Sequence, residues 1–227
     1  MERGCIFAAR KANMFKEEKK NIILTQALQV FMRKGIKCIS MDDMARELGI
    51  SKKTLYLHVK DKEELVDLAT DVFCEKEDCE INQIIAQNLN AIEESLAIKK
   101  WVLSVMKCIH PAVGYDLEKY HPKVSKKMQA NRAKNVYKTI FDNIIKGQKE
   151  GLYRADLNAE IIAKIYIARM EIFFDENMFP SSTFVISDLY LEAFEYHIRG
   201  IASAKGIKLL ESAIAKSKKQ KTQFHEK

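Results

Sequence analysis

The chain has 227 residues but only 3 Pro and 8 Gly, and no run of alternating β-branched residues lasts beyond a few positions. Sheets and turn-rich folds have little support in such a sequence. The 5 cysteines are an odd number, and no pair among Cys5, Cys38, Cys74, Cys79 and Cys108 has Cys-x-x-Cys spacing. That excludes a zinc ribbon or dithiol motif and suits a reducing cytoplasm, where the chain is expected to act. No apolar run approaches the roughly 18 residues of a membrane span, and the apolar patch in the opening MERGCIFAARKANMFK is too short for a signal peptide. No membrane partner is expected. Also missing are a Gly-rich phosphate loop, a Gly-x-Ser-x-Gly elbow and a His-Glu-x-x-His pair. Glu118 and His121 have the spacing of half a di-iron site, but the other half is absent and Pro122 interrupts the helix. Neither an enzyme nor a cofactor is expected.

What remains is a hydrophobic content of 47%, enough to fill real cores, and a net charge of +7 that is unevenly spread. Residues 1–60 hold 13 Lys+Arg against 6 Asp+Glu, while residues 61–204 hold 18 against 23. The last 23 residues carry 7 Lys and 2 Glu. A basic head on an acidic body is expected where the N-terminal part meets a polyanion.

Hydrophobic spacing places the helices. Ile23, Ala27, Val30 and Phe31 share one face of a helix over Lys16–Lys34, closed by Gly35. Ser40 and Asp43 form a capping signal for a second helix carrying Met41, Met44, Ala45 and Leu48, which Gly49 stops. Ser51 caps a third helix of about seven residues whose apolar edge is Leu55 and Val59, leaving Lys52, Lys53, Thr54, Tyr56 and His58 on the other faces. Asp61 and Glu64 open a fourth, whose buried face is Leu65, Leu68, Ala69, Val72 and Phe73. Two short helices joined by a Gly-containing turn, the second polar on its outer face, have the form of a helix-turn-helix.

Beyond residue 75 long helices are expected, broken at HPAVGYD, at His121-Pro122, at EGLYRADLN and at NMFPSST. The segments IIAKIYIARMEIFF and FVISDLYLEAFEYHIRGI are apolar on more than one face, so each is expected to serve both an internal core and an intersubunit surface. Cys74 and Cys79, five residues apart, read as buried helical cysteines rather than a thiol sensor.

The stretch ISMDDMARELGISKKTLYLHVKDKEEL resembles the DNA-binding domain of the TetR family of bacterial transcriptional regulators. The resemblance covers residues 16 to about 65. It rests on the small polar residue before the second helix, the Ala and Gly of MARELGIS, the Ser-Lys opening of the third helix, the Leu-Tyr pair and DKEEL. It implies an all-α fold: a three-helix helix-turn-helix domain over 15–62, then a larger helical bundle for ligand binding and dimerisation over 63–205. Residues 1–14 are expected to be a disordered extension, with Met14 a candidate translation start, and 206–227 a C-terminal helix and basic tail.

The family implies that Ser51, Lys52, Lys53 and Thr54 face the major groove, that Tyr56 and His58 contact phosphates, and that Lys62 and Ser40 hold further phosphates at helix N-termini. Physics agrees, because such termini present unpaired N–H groups and a positive dipole end. Lys53 stands where the family often has Gly, either to read a guanine or to add a phosphate contact. Leu57 replaces a frequent aromatic or polar residue, and Val59 a frequent Phe. The resemblance also implies a cavity for a small-molecule effector, for which Trp101, Met106, Tyr115, Tyr137, Phe141, Met170 and Phe174 are candidate lining residues. The expected partners are a double-stranded DNA operator, an effector of unknown identity, and a second copy joined through about 160–176 and 183–203.

Overall fold

The computed structural model describes the backbone of residues 2–225 except 174, 176 and 181; the described side chains lie within 17–216, with 171 and those three also excluded. Phe174 is outside the described residues. Ten helices are described: α1 Glu2–Lys34, α2 Met41–Glu47, α3 Lys52–Tyr56, α4 Lys62–Ile85, α5 Ala91–Cys108, α6 Ala112–Tyr120, α7 Pro122–Lys149, α8 Ala159–Ile172, α9 Ile186–Ile201 and α10 Ala204–His225. The fold is all-α, as the hydrophobic spacing predicts. Among the described residues the one β-type pairing is an isolated bridge between Tyr153 and Ala202.

The chain divides into two compact units. The first comprises 1–78 together with 107–130, the second 79–106 together with 131–227. In the first unit, Ile23, Leu24, Ala27, Val30 and Phe31 of α1 pack with Met44, Ala45, Leu55, Val59, Leu65, Val66 and Ala69. Leu117 of α6 and Val124 of α7 complete that core, so the expected boundary at 62/63 does not coincide with the division in space. Polar contacts reinforce the graft. The buried Asp116 carboxylate accepts the Ile36 and Lys37 N–H groups at 2.9 and 2.8 Å. His121 is buried against the Glu63 carboxylate, and Lys127 bridges Asp67 and Asp71 at 2.8 and 2.7 Å.

The second unit is built on Ala91, Ile92, Ile144, Leu152, Tyr153, Phe194, Ile198, Ile201 and Leu210. Leu210 is buried, so the first half of α10 packs into this core. At the other end, α1 starts at Glu2 where a disordered lead-in was expected. Ala8, Ala9, Arg10, Lys11, Ala12 and Met14 are good helix formers, and extending an existing helix is easy compared with nucleating one.

Candidate DNA-binding interface

Helix α2 is held by a capping box: the Ser40 hydroxyl accepts the Asp43 N–H at 3.1 Å, and the Asp43 carboxylate accepts from the Ser40 N–H and hydroxyl at 3.2 and 2.6 Å. These bonds hold the Asp43 carboxyl below its usual pKa. The turn then passes through Gly49, whose φ of 65° lies in the left-handed region that favours glycine. Ser51 caps α3, accepting the Thr54 N–H at 3.0 Å and sharing a 2.8 Å bond with the Thr54 hydroxyl. Both caps arise where the sequence spacing predicts.

Helix α3 is five residues long, shorter than expected. Leu55 is fully buried and Val59 nearly so, which fixes the helix against α1 and α2 and turns Ser51, Lys52, Lys53 and Tyr56 to solvent. Thr54 is half-buried. The Lys52 ammonium pairs with Asp42 of α2 at 2.6 Å, which raises its pKa. His58 is half-buried, and its Nδ1 is sealed from solvent without a hydrogen-bond partner.

At the start of α4, the Asp61 carboxylate accepts the Glu64 N–H at 2.8 Å. Lys62 beside it is half-buried and donates to the Lys37 carbonyl at 3.2 Å. Burial pushes its ammonium pKa down, with Asp116 and Cys38 opposing. The first unit thus assembles Ser40, Ser51, Lys52, Lys53, Thr54, Tyr56, His58 and Lys62 on α2, α3 and the start of α4. Sequence reasoning gave Leu57 no role, yet it follows Tyr56 directly and is 65% exposed. Its position just past the end of α3 was the available signal.

The candidate ligand residues do not stay together. Tyr115 belongs to the first unit, on α6, and is 57% exposed. Periodicity placed it on a helix but carried no information about which unit owned that helix. Trp101, Met106, Tyr137, Phe141 and Met170 all lie in the second unit and are half-buried. Tyr137 stacks on Phe141 with centroids 5.9 Å apart, and Phe141 borders a surface depression with Ile145, Lys146 and Glu150.

A polar cluster in the same unit escaped notice in the sequence. The Arg169 guanidinium lies 4.5 Å from the buried Tyr166 ring and donates to the Ala193 carbonyl at 2.6 Å, while its Nε is buried without a partner. His197 meets the Tyr166 ring edge-on at 4.8 Å. Burial, with Arg169 nearby, pushes the imidazole pKa down to about 4.

A short second helix, a Gly turn and a third helix with an outward polar face, packed on α1, define a helix-turn-helix domain of the kind found in transcription regulators. Residues 23–69 match the sequence model for bacterial regulatory proteins of the tetR family. The chain is 29% identical over 103 residues to the HTH-type transcriptional regulator YvaF of Bacillus subtilis, a match covering 44% of this chain and 52% of YvaF. The match thus spans about half of that relative's length.

The fold is similar to that of a TetR-family transcriptional regulator from Cytophaga hutchinsonii, with a TM-score of 0.61 at 20% identity over 83% of this chain and 96% of that one. It is also similar to that of a transcriptional regulator from Saccharomonospora viridis solved in complex with choline. There the TM-score is 0.60 at 18% identity over 82% of this chain and 99% of that one. These relatives are transcription regulators, not enzymes. Among the described residues no helix is long and apolar enough to cross a membrane.

Proposed function

We propose that the protein is a homodimeric repressor that leaves a near-palindromic operator when a small molecule binds its second unit. The observation carrying the DNA reading is the pair of capped helices that turns Lys53 and Tyr56 outward while Leu55 and Val59 anchor the third helix from behind. In this reading Ser51, Lys52, Lys53 and Thr54 face base edges, and Ser40, Tyr56, His58 and Lys62 hold phosphates. A phosphate competes with Asp42 for Lys52, so that lysine exchanges one anion for another on docking. One recognition helix this short reads few base pairs. Two heads about 34 Å apart, one helical turn, supply the rest.

The dimer is supported by α8 and α9. Ile161, Ile165 and Ile172 are 54%, 58% and 41% exposed, and Leu191 and Tyr196 on α9 are 38% and 81% exposed. Such apolar surface on two neighbouring helices favours a partner of the same kind. For the effector, the Arg169 cluster favours an acidic small molecule, because among the described residues its guanidinium has aromatic and carbonyl partners but no carboxylate.

The decisive experiment replaces Tyr56 and Lys62 together by Ala in the full chain. Binding to duplex DNA is expected to vanish while sedimentation still reports a dimer; unchanged affinity would refute the assignment. Thermal shifts across a panel of carboxylic acids test the effector. A flat response would favour release by a protein partner instead.

A further inference from the structure

Some basic side chains of the first unit are ion-paired among the described residues, and others, Lys53 and Lys60 among them, are not. Arg33 and Lys34 are paired with Glu47, Arg46 with Asp43, Lys52 with Asp42, and Lys127 with Asp67 and Asp71. Lys37, Lys62 and Lys119 are different: among the described residues none has a carboxylate within ion-pair distance. Lys37 lies over the Tyr120 ring, 5.1 Å from its centroid. Lys119 donates to the Tyr115 hydroxyl and sits 5.0 and 5.7 Å from the Tyr115 and Tyr120 rings. Lys62 donates to a carbonyl, that of Lys37.

These contacts form one continuous run, from Lys62 through Lys37 and Tyr120 to Lys119 and Tyr115. It is firmly mounted. Asp116 ties the Lys37 backbone to α6, and the His110 N–H donates to the Met32 carbonyl at 2.6 Å. The buried Asp116 carboxylate bears electrostatically on both Lys37 and Lys62, while Lys119 feels Tyr115, Tyr120 and the like charge of Lys37. Aromatic faces orient a cation without neutralising it, and phenol hydroxyls themselves donate to phosphate oxygens.

We propose that Lys37 and Lys119, carried on the rings of Tyr120 and Tyr115, form a second phosphate-binding patch that extends the DNA interface from the helix-turn-helix onto α6. The proposal rests on the DNA-binding reading and deepens it. The patch adjoins Lys62, and it lies a short reach from Ser40, three residues after Lys37. Its ligand is the phosphodiester backbone of duplex DNA, read without regard to sequence. It gives Tyr115 a place that an effector cavity does not.

The test measures binding of the full chain to a 30-base-pair duplex of arbitrary sequence as a function of salt. Each lost phosphate contact lowers the slope of log affinity against log salt by about 0.9. The double variant Lys37→Ala/Lys119→Ala is expected to lower it by about 2 per bound chain, and to weaken binding about tenfold or more at low salt. Both lysines are exposed, so its melting temperature is expected to match the parent's. Lys208→Ala in the second unit is the control and is expected to leave the slope unaltered. A double-variant slope equal to the parent's would overturn the patch. If that unchanged slope came with lost binding to polyglutamate, the patch would belong to an acidic protein surface instead. A parent chain whose duplex affinity ignores salt would overturn the DNA reading itself, and the patch with it.

Discussion

In the first unit the serines that cap α2 and α3 are bonded to neighbours three residues away, Ser40 to Asp43 and Ser51 to Thr54, at the exposed surface. In the second unit one polar cluster is buried and reaches far along the chain. Asn143 donates to Glu94 at 2.7 Å and to the Ala91 carbonyl at 3.0 Å. Ser95 and Tyr153 donate to its oxygen at 3.0 and 2.9 Å. Lys146 closes the network on the largely buried Glu94 at 2.6 Å. The first arrangement fixes helix ends and leaves donors facing outward. The second locks α5, α7 and the segment after α7 together. One gives a rigid display surface, the other a body whose packing specifies a single arrangement.

The sharpest test of this contrast makes the same substitution in both units. A Cβ on Gly147 falls 2.0 Å from the Tyr153 ring, whereas one on Gly114 of α6 has open space within 4 Å. Gly147→Ala is expected to cost about 3 kcal/mol, overwhelming the gain of about 1 kcal/mol in helix propensity. Gly114→Ala is expected to stabilise by somewhat less than 1 kcal/mol. Urea unfolding reads both, and equal signs would break the comparison.

The next largest effect concerns pH. The His197 imidazole has a pKa of about 4 in the folded chain and about 6.5 when unfolded. Between those values the unfolded chain binds the extra proton, so stability falls as pH drops from about 6.5 toward 4 and levels off below. After allowance for partial exposure this amounts to about 2 kcal/mol. His197→Gln is expected to flatten that part of the stability profile, and an unaltered slope would remove His197 from the account.

Smaller effects separate the two kinds of polar contact. Tyr153→Phe removes donors to Asn143 and to the Ala91 carbonyl and is expected to cost about 1.5 kcal/mol in chemical denaturation. Ser40→Ala removes one half of the capping box and is expected to cost about 1 kcal/mol. If the DNA reading holds, Ser40→Ala also weakens duplex binding while Tyr153→Phe leaves it unaltered. The reverse outcome would exchange the roles of the two units.

The helix-turn-helix was legible because its signals are local. Ser40 and Ser51 sit at fixed offsets from the N–H groups they cap, Gly49 marks the turn, and the apolar spacing names Leu55 and Val59 as anchors. The two-faced character of α8 was legible too, since Ala163 and Tyr166 are buried while Ile161 and Ile165 are exposed. Tyr115 shows where this reasoning ends. Its spacing fits a helix equally well in either unit, and what assigns it to the first is the anchoring of α6 by Asp116, Leu117 and His121.

The amino-acid sequence by itself determined the all-α character, the helix starts and stops around the helix-turn-helix head, and the apolar residues that anchor its third helix. Those follow from bonds and faces repeating every three or four residues. Only the tertiary structure decided that α6 and the first turns of α7 join the head, and that Lys37 and Lys119 share the Tyr120 ring. It likewise placed Arg169 among aromatic partners and closed the Glu94 network. Those outcomes depend on contacts between residues as much as 80 positions apart, as for Ile36 and Asp116. Such pairings are selected by the packing of whole helices, and local periodicity carries no record of them.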